Sequence, residues 1–192
     1  MMKQITVFTP TFNRKHLLTR LFESLQKQSI KEFKWLIIDD GSSDQTDKVV
    51  EGFKKAADFE ICYHYQNNKG MVGAHQTAHN LMDTNLCVCI DSDDYLPENA
   101  IERILDLWNK YGDDDCAGLI GLDAYEDGNI IGNKFPEDGL KMKFTEMHFK
   151  YKVYGDKKFV HNRRVFNQYL PYQFFEGEKF PVTSYIYHFI EQ

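Results

Sequence analysis

The chain has no Cys-x-x-Cys pair, no polybasic tract, no internal repeat and no low-complexity linker, and no apolar run approaches 18 residues. Each absence excludes something. Four scattered cysteines, Cys62, Cys87, Cys89 and Cys116, give no disulfide framework and no zinc-ribbon spacing. Three of them sit within or beside apolar runs, so all four read as buried free thiols. The N-terminus lacks signal-peptide architecture and no segment reads as a membrane span, so the expected setting is reducing and cytoplasmic. With 23 basic against 29 acidic residues, a net charge of -6 and nothing to neutralise a run of phosphates, general nucleic-acid binding is disfavoured.

What is present suits one globular domain. The 192 residues are 42% apolar, 27% charged and 15% aromatic. At about 150 residues per domain that is one unit, long enough to hide roughly 70% of its unfolded surface without a disulfide or structural metal. An acidic protein can still hold a diphosphate if a divalent ion supplies the positive charge.

The first 110 residues alternate between two periodicities. Ile5 to Thr9, Phe33 to Ile38, Ile61 to Tyr65 and Leu86 to Ile90 are short apolar runs of strand type. Between and after them lie amphipathic stretches: Leu17, Leu18, Leu21, Phe22 and Leu25; Thr46 to Ala57, with Asp44 as expected N-cap; Ala74 to Met82, after a polar loop from Gln66 to Gly73; and Glu98 to Tyr111, entered through Pro97. Strands alternating with helices predict parallel βαβ units with helices on both faces of a sheet. Ligands of such sheets bind beyond the carboxyl ends of the strands. Beyond residue 115 the pattern weakens. Ala117 to Ala124 and Ile130-Ile131 read as strands, Asp138 to Lys158 has no clear period, and Tyr185 to Ile190 is compatible with strand or helix.

Three polar clusters follow three predicted strands, and the sheet rule sends all of them to one crevice. Asp91-Ser92-Asp93-Asp94 puts three carboxylates within four positions, a repulsive set that Mg²⁺ or Mn²⁺ would relieve. An acidic turn capping the next helix is the competing reading. Asp39-Asp40-Gly41-Ser42-Ser43-Asp44 offers acceptors for a base N–H or a ribose hydroxyl, or else forms an Asx-type turn with a helix cap. In Pro10-Thr11-Phe12-Asn13, Phe12 can stack on a nucleobase or simply pack. The loop before the third helix lacks Gly-Lys-Ser/Thr and is no Walker loop. His148, His161 and His188 show no ligand spacing with one another and read as surface or satisfied core residues.

Four segments, TVFTPTFNR at 6–14, WLIIDDGSSD at 35–44, NKGMVGAHQTAHN at 68–80 and CIDSDDYLPE at 89–98, together resemble the family-2 glycosyltransferases. The resemblance is specific over residues 3 to 110. It implies an α/β fold of GT-A type, Rossmann-like and three-layered α/β/α with a central, mainly parallel sheet. Residues 1–192 would form one domain, 1–110 binding the nucleotide-sugar and 111–192 serving acceptor and catalysis. It further implies a UDP-sugar donor, Mg²⁺ or Mn²⁺, inversion at the anomeric carbon and a saccharide or lipid-linked acceptor of a bacterial surface polymer.

Carried over by position, Pro10, Thr11, Phe12, Asn13, Asp39, Asp40, Asp91 and Ser92 would contact the nucleotide, and Asp91 and Asp93 would form the DXD pair at the metal. His75 and Gln76 fall in the same binding segment, where many relatives have Arg-Asn. Inversion needs a general base; Glu178 is the first choice and Glu176 the second. The rivals are a sugar-phosphate nucleotidyltransferase, disfavoured because no Gly-rich basic loop follows the first strand, and a nucleotide-binding module without catalysis. The length is short for a transferase with its own acceptor domain, so a truncated chain, a partner copy or a peripheral membrane surface is expected to complete it.

Overall fold

The computed structural model describes residues 4–173 and 185–190. Six strands form one sheet in the order β3-β2-β1-β4-β6-β5. The first half follows the predicted alternation: β1 (Ile5–Thr11), α1 (Lys15–Gln26), β2 (Phe33–Asp39), α2 (Thr46–Ala56), β3 (Glu60–Tyr65), α3 (Gly70–Leu81), β4 (Leu86–Cys89) and α4 (Ala100–Tyr111). β1 pairs in parallel with both β2 and β4, and β2 with β3.

Period-two alternation along β1 sorts the core into two layers. Ile5 and Val7 join Leu18, Leu21, Phe22 and Leu25 of α1, Val50 and Phe53 of α2, and Ile101 and Leu105 of α4 on one face. Phe8 points the other way, with Leu36, Ile38 and Cys87, against Ala74 and Ala78 of α3. Short side chains on α3 let that helix lie close to the sheet. Trp35, fully buried, is kept polar-satisfied by donating its indole N–H to Thr9 Oγ1 at 2.9 Å.

The later half departs from the expectation. β5 (Gly118–Leu122) is a strand as read, and Ile130 makes only an isolated bridge with Ala124. The stretch without a clear period contains α5 (Phe144–Phe149) and begins β6 (Lys157–Asn162). β6 inserts between β4 and β5, antiparallel to both. α6 (Arg163–Phe166) and a 3-10 turn (Asn167–Tyr169) follow, and the segment open to strand or helix is α7 (Tyr185–Ile190).

Two local expectations need correcting. α3 starts at Gly70, four residues before the predicted Ala74: Gly70-Met71-Val72-Gly73, read as the end of the polar loop, is its first turn, and Val72 there is buried against Phe166 and Tyr172. Of the four free cysteines only Cys87 is fully buried; the other three are half-buried. Among the described residues no helix is long and apolar enough to cross a membrane.

Candidate active site

β1, β2 and β4 are parallel neighbours, so their carboxyl ends lie side by side. The ladder continues one step past the strands, Asp40 N–H donating to Thr11 O (2.9 Å) and Ile90 N–H to Phe8 O (3.0 Å). The three polar clusters therefore start level with one another, and side chains stitch them together. Asn13 sits at φ +54, a left-handed conformation that Asn tolerates. From there its N–H donates to Ser42 Oγ and its Oδ1 accepts from Ser43 N–H, both at 2.8 Å. Phe12 is left 47% exposed and Thr11 is buried with its hydroxyl unpartnered. Pro10, the next-to-last residue of β1, is half-buried.

Asp44 does not cap α2, whose N-cap is Gln45. Its carboxylate reaches back to the start of α1, accepting from Lys15 N–H (3.0 Å) and from the Thr46 hydroxyl (2.6 Å). Burial works against its charge, but these donors outweigh it and hold its pKa below the ordinary value.

Asp39 and Asp40 are both buried and already committed. Asp39 accepts from Ser42 N–H at 2.8 Å and from the Tyr63 hydroxyl at 2.6 Å. Burial, reinforced by that bond to a carboxylate, pushes the Tyr63 phenol well above its usual range. Asp40 Oδ1 accepts from Gln66 Nε2 (2.6 Å) and Lys69 N–H (2.8 Å). Gly41, at φ +93, lets the loops meet: a Cβ there would lie 3.1 Å from Asn68 N.

Beyond β4, Ser92 is buried while Asp91, Asp93 and Asp94 reach the surface of the crevice. Arg14 Nη1 lies 3.4 Å from Asp93, and Lys158 Nζ lies 3.1 Å from Asp94 and 3.8 Å from Asp123. Desolvation, opposed by Lys158 and assisted by Asp94 and Asp93, raises the pKa of Asp91. Burial also raises that of Asp123. Among the described residues, four carboxylates thus share two cations. That donor set of hard oxygens, short of positive charge, fits Mg²⁺ or Mn²⁺. Among the described residues the carboxylates do not close into a three-ligand cluster.

The segment carrying His75 and Gln76 borders this crevice. His75 Nε2 lies 3.7 Å from Cys89 Sγ, which in turn lies 3.8 Å from Asp91. Burial lowers the His75 pKa to about 4, so its ring is neutral at pH 7. The Gln76 amide is engaged elsewhere, accepting from Tyr172 N–H (2.8 Å) and donating to Asn80 (3.0 Å). Glu176 and Glu178 lie outside the described residues. A cleft of 690 Å³ lies away from the acidic clusters, beyond the edge strand β5, with Leu119, Phe144 and Phe159 in its wall.

Comparison with known proteins settles the lineage. The model of the family "Glycosyl transferase family 2" matches residues 6–170. This chain belongs to glycosyl transferase family 2. It is 32% identical over 143 residues to the poly(ribitol-phosphate) beta-N-acetylglucosaminyltransferase TarP of Staphylococcus aureus, covering 67% of this chain and 43% of the relative. It is 30% identical over 143 residues to the GalNAc(5)-diNAcBac-PP-undecaprenol beta-1,3-glucosyltransferase of Campylobacter jejuni, covering 73% and 44%. Among solved structures, S. aureus TarS in complex with UDP superposes with a TM-score of 0.68 at 18% identity, over 86% of this chain and 48% of that one. A mannosyltransferase of Pyrobaculum calidifontis, in complex with GDP-Man and Mn²⁺, gives 0.61 at 16%, over 88% and 47%. The fold is thus the GT-A arrangement, and the matched stretch spans less than half the length of these relatives.

In this family-2 domain, sequence reasoning missed the residues that support the acidic clusters. Tyr63 and Gln66 hold Asp39 and Asp40, and their spacing after β2 carries no motif. Lys158 is harder still to find, because it reaches Asp94 only through β6. In the antiparallel register Val88 pairs with Val160, so Lys158 lies two positions further along, toward the end of β4. Arg14 stood inside a recognisable segment and its partner Asp93 shows why it matters.

Proposed function

We propose that this domain transfers a sugar from a UDP-sugar to an acceptor hydroxyl, with inversion, in the assembly of a bacterial surface polysaccharide. One observation carries the reading: two acidic clusters stand at the ends of strands on either side of β1, one buried and hydrogen-bonded, the other exposed and short of cations. The first suits neutral donors such as a base N–H or ribose hydroxyls. The second suits a cation and a diphosphate.

In this reading Asp40, fixed by Gln66 and the Lys69 amide, accepts from the uracil, and Phe12 stacks beside it. Pro10, Thr11, Asn13, Asp39 and Ser92 shape the nucleoside pocket, and His75 and Gln76 border it. Asp91 and Asp93 hold Mg²⁺ or Mn²⁺, which when bound supplies positive charge to the departing diphosphate. Arg14, paired with Asp93, and Lys158, paired with Asp94 and Asp123, offset part of the repulsion among the carboxylates. A glutamate, Glu178 before Glu176, takes the acceptor hydroxyl proton as that oxygen bonds to the anomeric carbon and the bond to UDP breaks. The relatives support the polymer setting, since TarP is named for poly(ribitol-phosphate) and the Campylobacter enzyme for an undecaprenol-linked saccharide. A TarS structure with UDP-GlcNAc supports the donor class.

The test is UDP release from a panel of UDP-sugars, with ribitol-phosphate oligomers and undecaprenol-linked saccharides as acceptors, in Mn²⁺ or Mg²⁺ and in EDTA. Metal-dependent release of UDP with a β-linked product is expected from an α-linked donor. Binding of UDP with no release from any donor in either metal would instead make the domain a nucleotide-binding module.

A further inference from the structure

Below the crevice, three side chains that the glycosyl-transfer reading does not use come together in the core. Cys87 lies on β4 and His161 is its direct partner across the antiparallel pair with β6. His79 comes down from α3 onto the same face. One ligand atom from each lies within 4.8 Å of the others. All are buried, with exposures of 2% for His79, 0% for Cys87 and 8% for His161.

The hydrogen bonding around them is incomplete. Among the described residues, both ring nitrogens of His79 and Nδ1 of His161 have no hydrogen-bond partner. A neutral imidazole carries one N–H and one lone pair, and leaving such groups buried and unpaired is unfavourable. The surroundings supply mainly rings: Phe166 stacks on His161 at 4.1 Å and on His79 at 4.7 Å. Two polar groups also lie near: the Tyr187 hydroxyl, 2.8 Å from His161 Nε2, and the Arg163 guanidinium, whose charge acts on both His79 and Cys87. The Tyr187 contact engages Nε2 and leaves Nδ1 as the ring nitrogen without a partner among the described residues, and a ring held through one nitrogen is the usual arrangement of a metal-ligating histidine.

We propose that His79, Cys87 and His161 form a Zn²⁺ site distinct from the carboxylates at the end of β4. Two imidazoles and a thiol are the donors of a borderline-soft ion, whereas the strand-end carboxylates are donors of a hard one. Bond lengths of about 2.0–2.3 Å place tetrahedral ligands roughly 3.5 Å apart, so closure needs shifts on the order of 1 Å. On binding, the Cys87 thiol releases its proton to solvent and the thiolate offsets one charge of the ion, beside Arg163, whose Nε is also unpartnered. The cleft beyond β5 reaches His161, Phe166 and Tyr187 and gives an entry route. Such an ion ties α3, β4 and β6 together, joining the donor half to the strand that carries Lys158.

The experiment uses the full chain, stripped with chelator and equilibrated with Zn²⁺ or Co²⁺ in excess Mg²⁺, which occupies the carboxylates. Elemental analysis after gel filtration is expected to find about one zinc per chain. The cobalt form is expected to show a sulfur-to-metal charge-transfer band, lost in Cys87→Ser and weakened in His79→Gln. Should Cys87→Ser fail to fold, the triple variant Cys62→Ser, Cys89→Ser, Cys116→Ser must keep the band through Cys87 alone. Less than about a tenth of a zinc per chain, a cobalt spectrum without the sulfur band, or its loss in a folded triple variant overturns the proposal.

Discussion

The first 111 residues and those that follow contribute to one sheet in opposite ways. In the first half each strand is followed by its own helix, and each strand end delivers its polar cluster directly. In the second, β6 crosses back to lie beside β4, and its side chains matter only for what they meet there: Lys158 at Asp94, His161 at Cys87. The difference teaches that the crevice is built by local succession but balanced electrically by a long-range pairing.

The largest expected effect tests the first half. Asp93→Ala removes a carboxylate at the metal and should lower transfer by at least about 100-fold, the scale of losing charge stabilisation at a leaving group; UDP release kinetics measure it. Next, Asp40→Asn leaves the Gln66 and Lys69 donors facing an amide and should weaken UDP binding by about 10-fold, the worth of a charged hydrogen bond, by calorimetry. A loss in kcat with unchanged UDP affinity would break the division between the two clusters.

The contribution of the second half is read by Lys158→Met. Lys158 pulls down the pKa of Asp91, which desolvation and its neighbours have raised. Removing it raises that pKa further, so the acid limb of the pH-rate profile should move to higher pH. A profile that keeps its limb and only scales in height would make Lys158 structural. The smallest effect is Asp44→Ala, expected to cost about 1 kcal/mol at pH 7 in chemical denaturation through loss of the bonds to Lys15 and Thr46. Because the folded pKa of Asp44 is depressed, its contribution is present above its unfolded value of 3.8 and fades as pH falls through the folded one. The mutant and parent should therefore converge in acid.

These contrasts also explain what could be read in advance. The strands, helices and acidic clusters through Tyr111 were legible because periodicity and strand-end placement are local signals. α3 began early because Met71 and Val72, placed in the polar loop, belong to its first turn, where Val72 packs into the core. Asp44 was placed one residue off, since Gln45 is the N-cap, and its carboxylate is shared between Thr46 at the start of α2 and Lys15 of α1, a long-range partner with no sequence signal. β6 was missed because Lys157–Asn162 mixes charge with apolar residues and its pairing with β4 has no sequence signature. The same lack of signal hid the meeting of His161 with His79 and Cys87: spacing among His148, His161 and His188 was the wrong comparison when the neighbours came from α3 and β4.

The most direct measurement is UDP affinity by calorimetry on the wild-type chain with Mn²⁺ and again in EDTA. Binding is expected to be tight with the ion and at least about 10-fold weaker without it, since the crevice otherwise sets carboxylates against a diphosphate. Equal affinity in both conditions would contradict the assignment of Asp91 and Asp93 to a metal–diphosphate site.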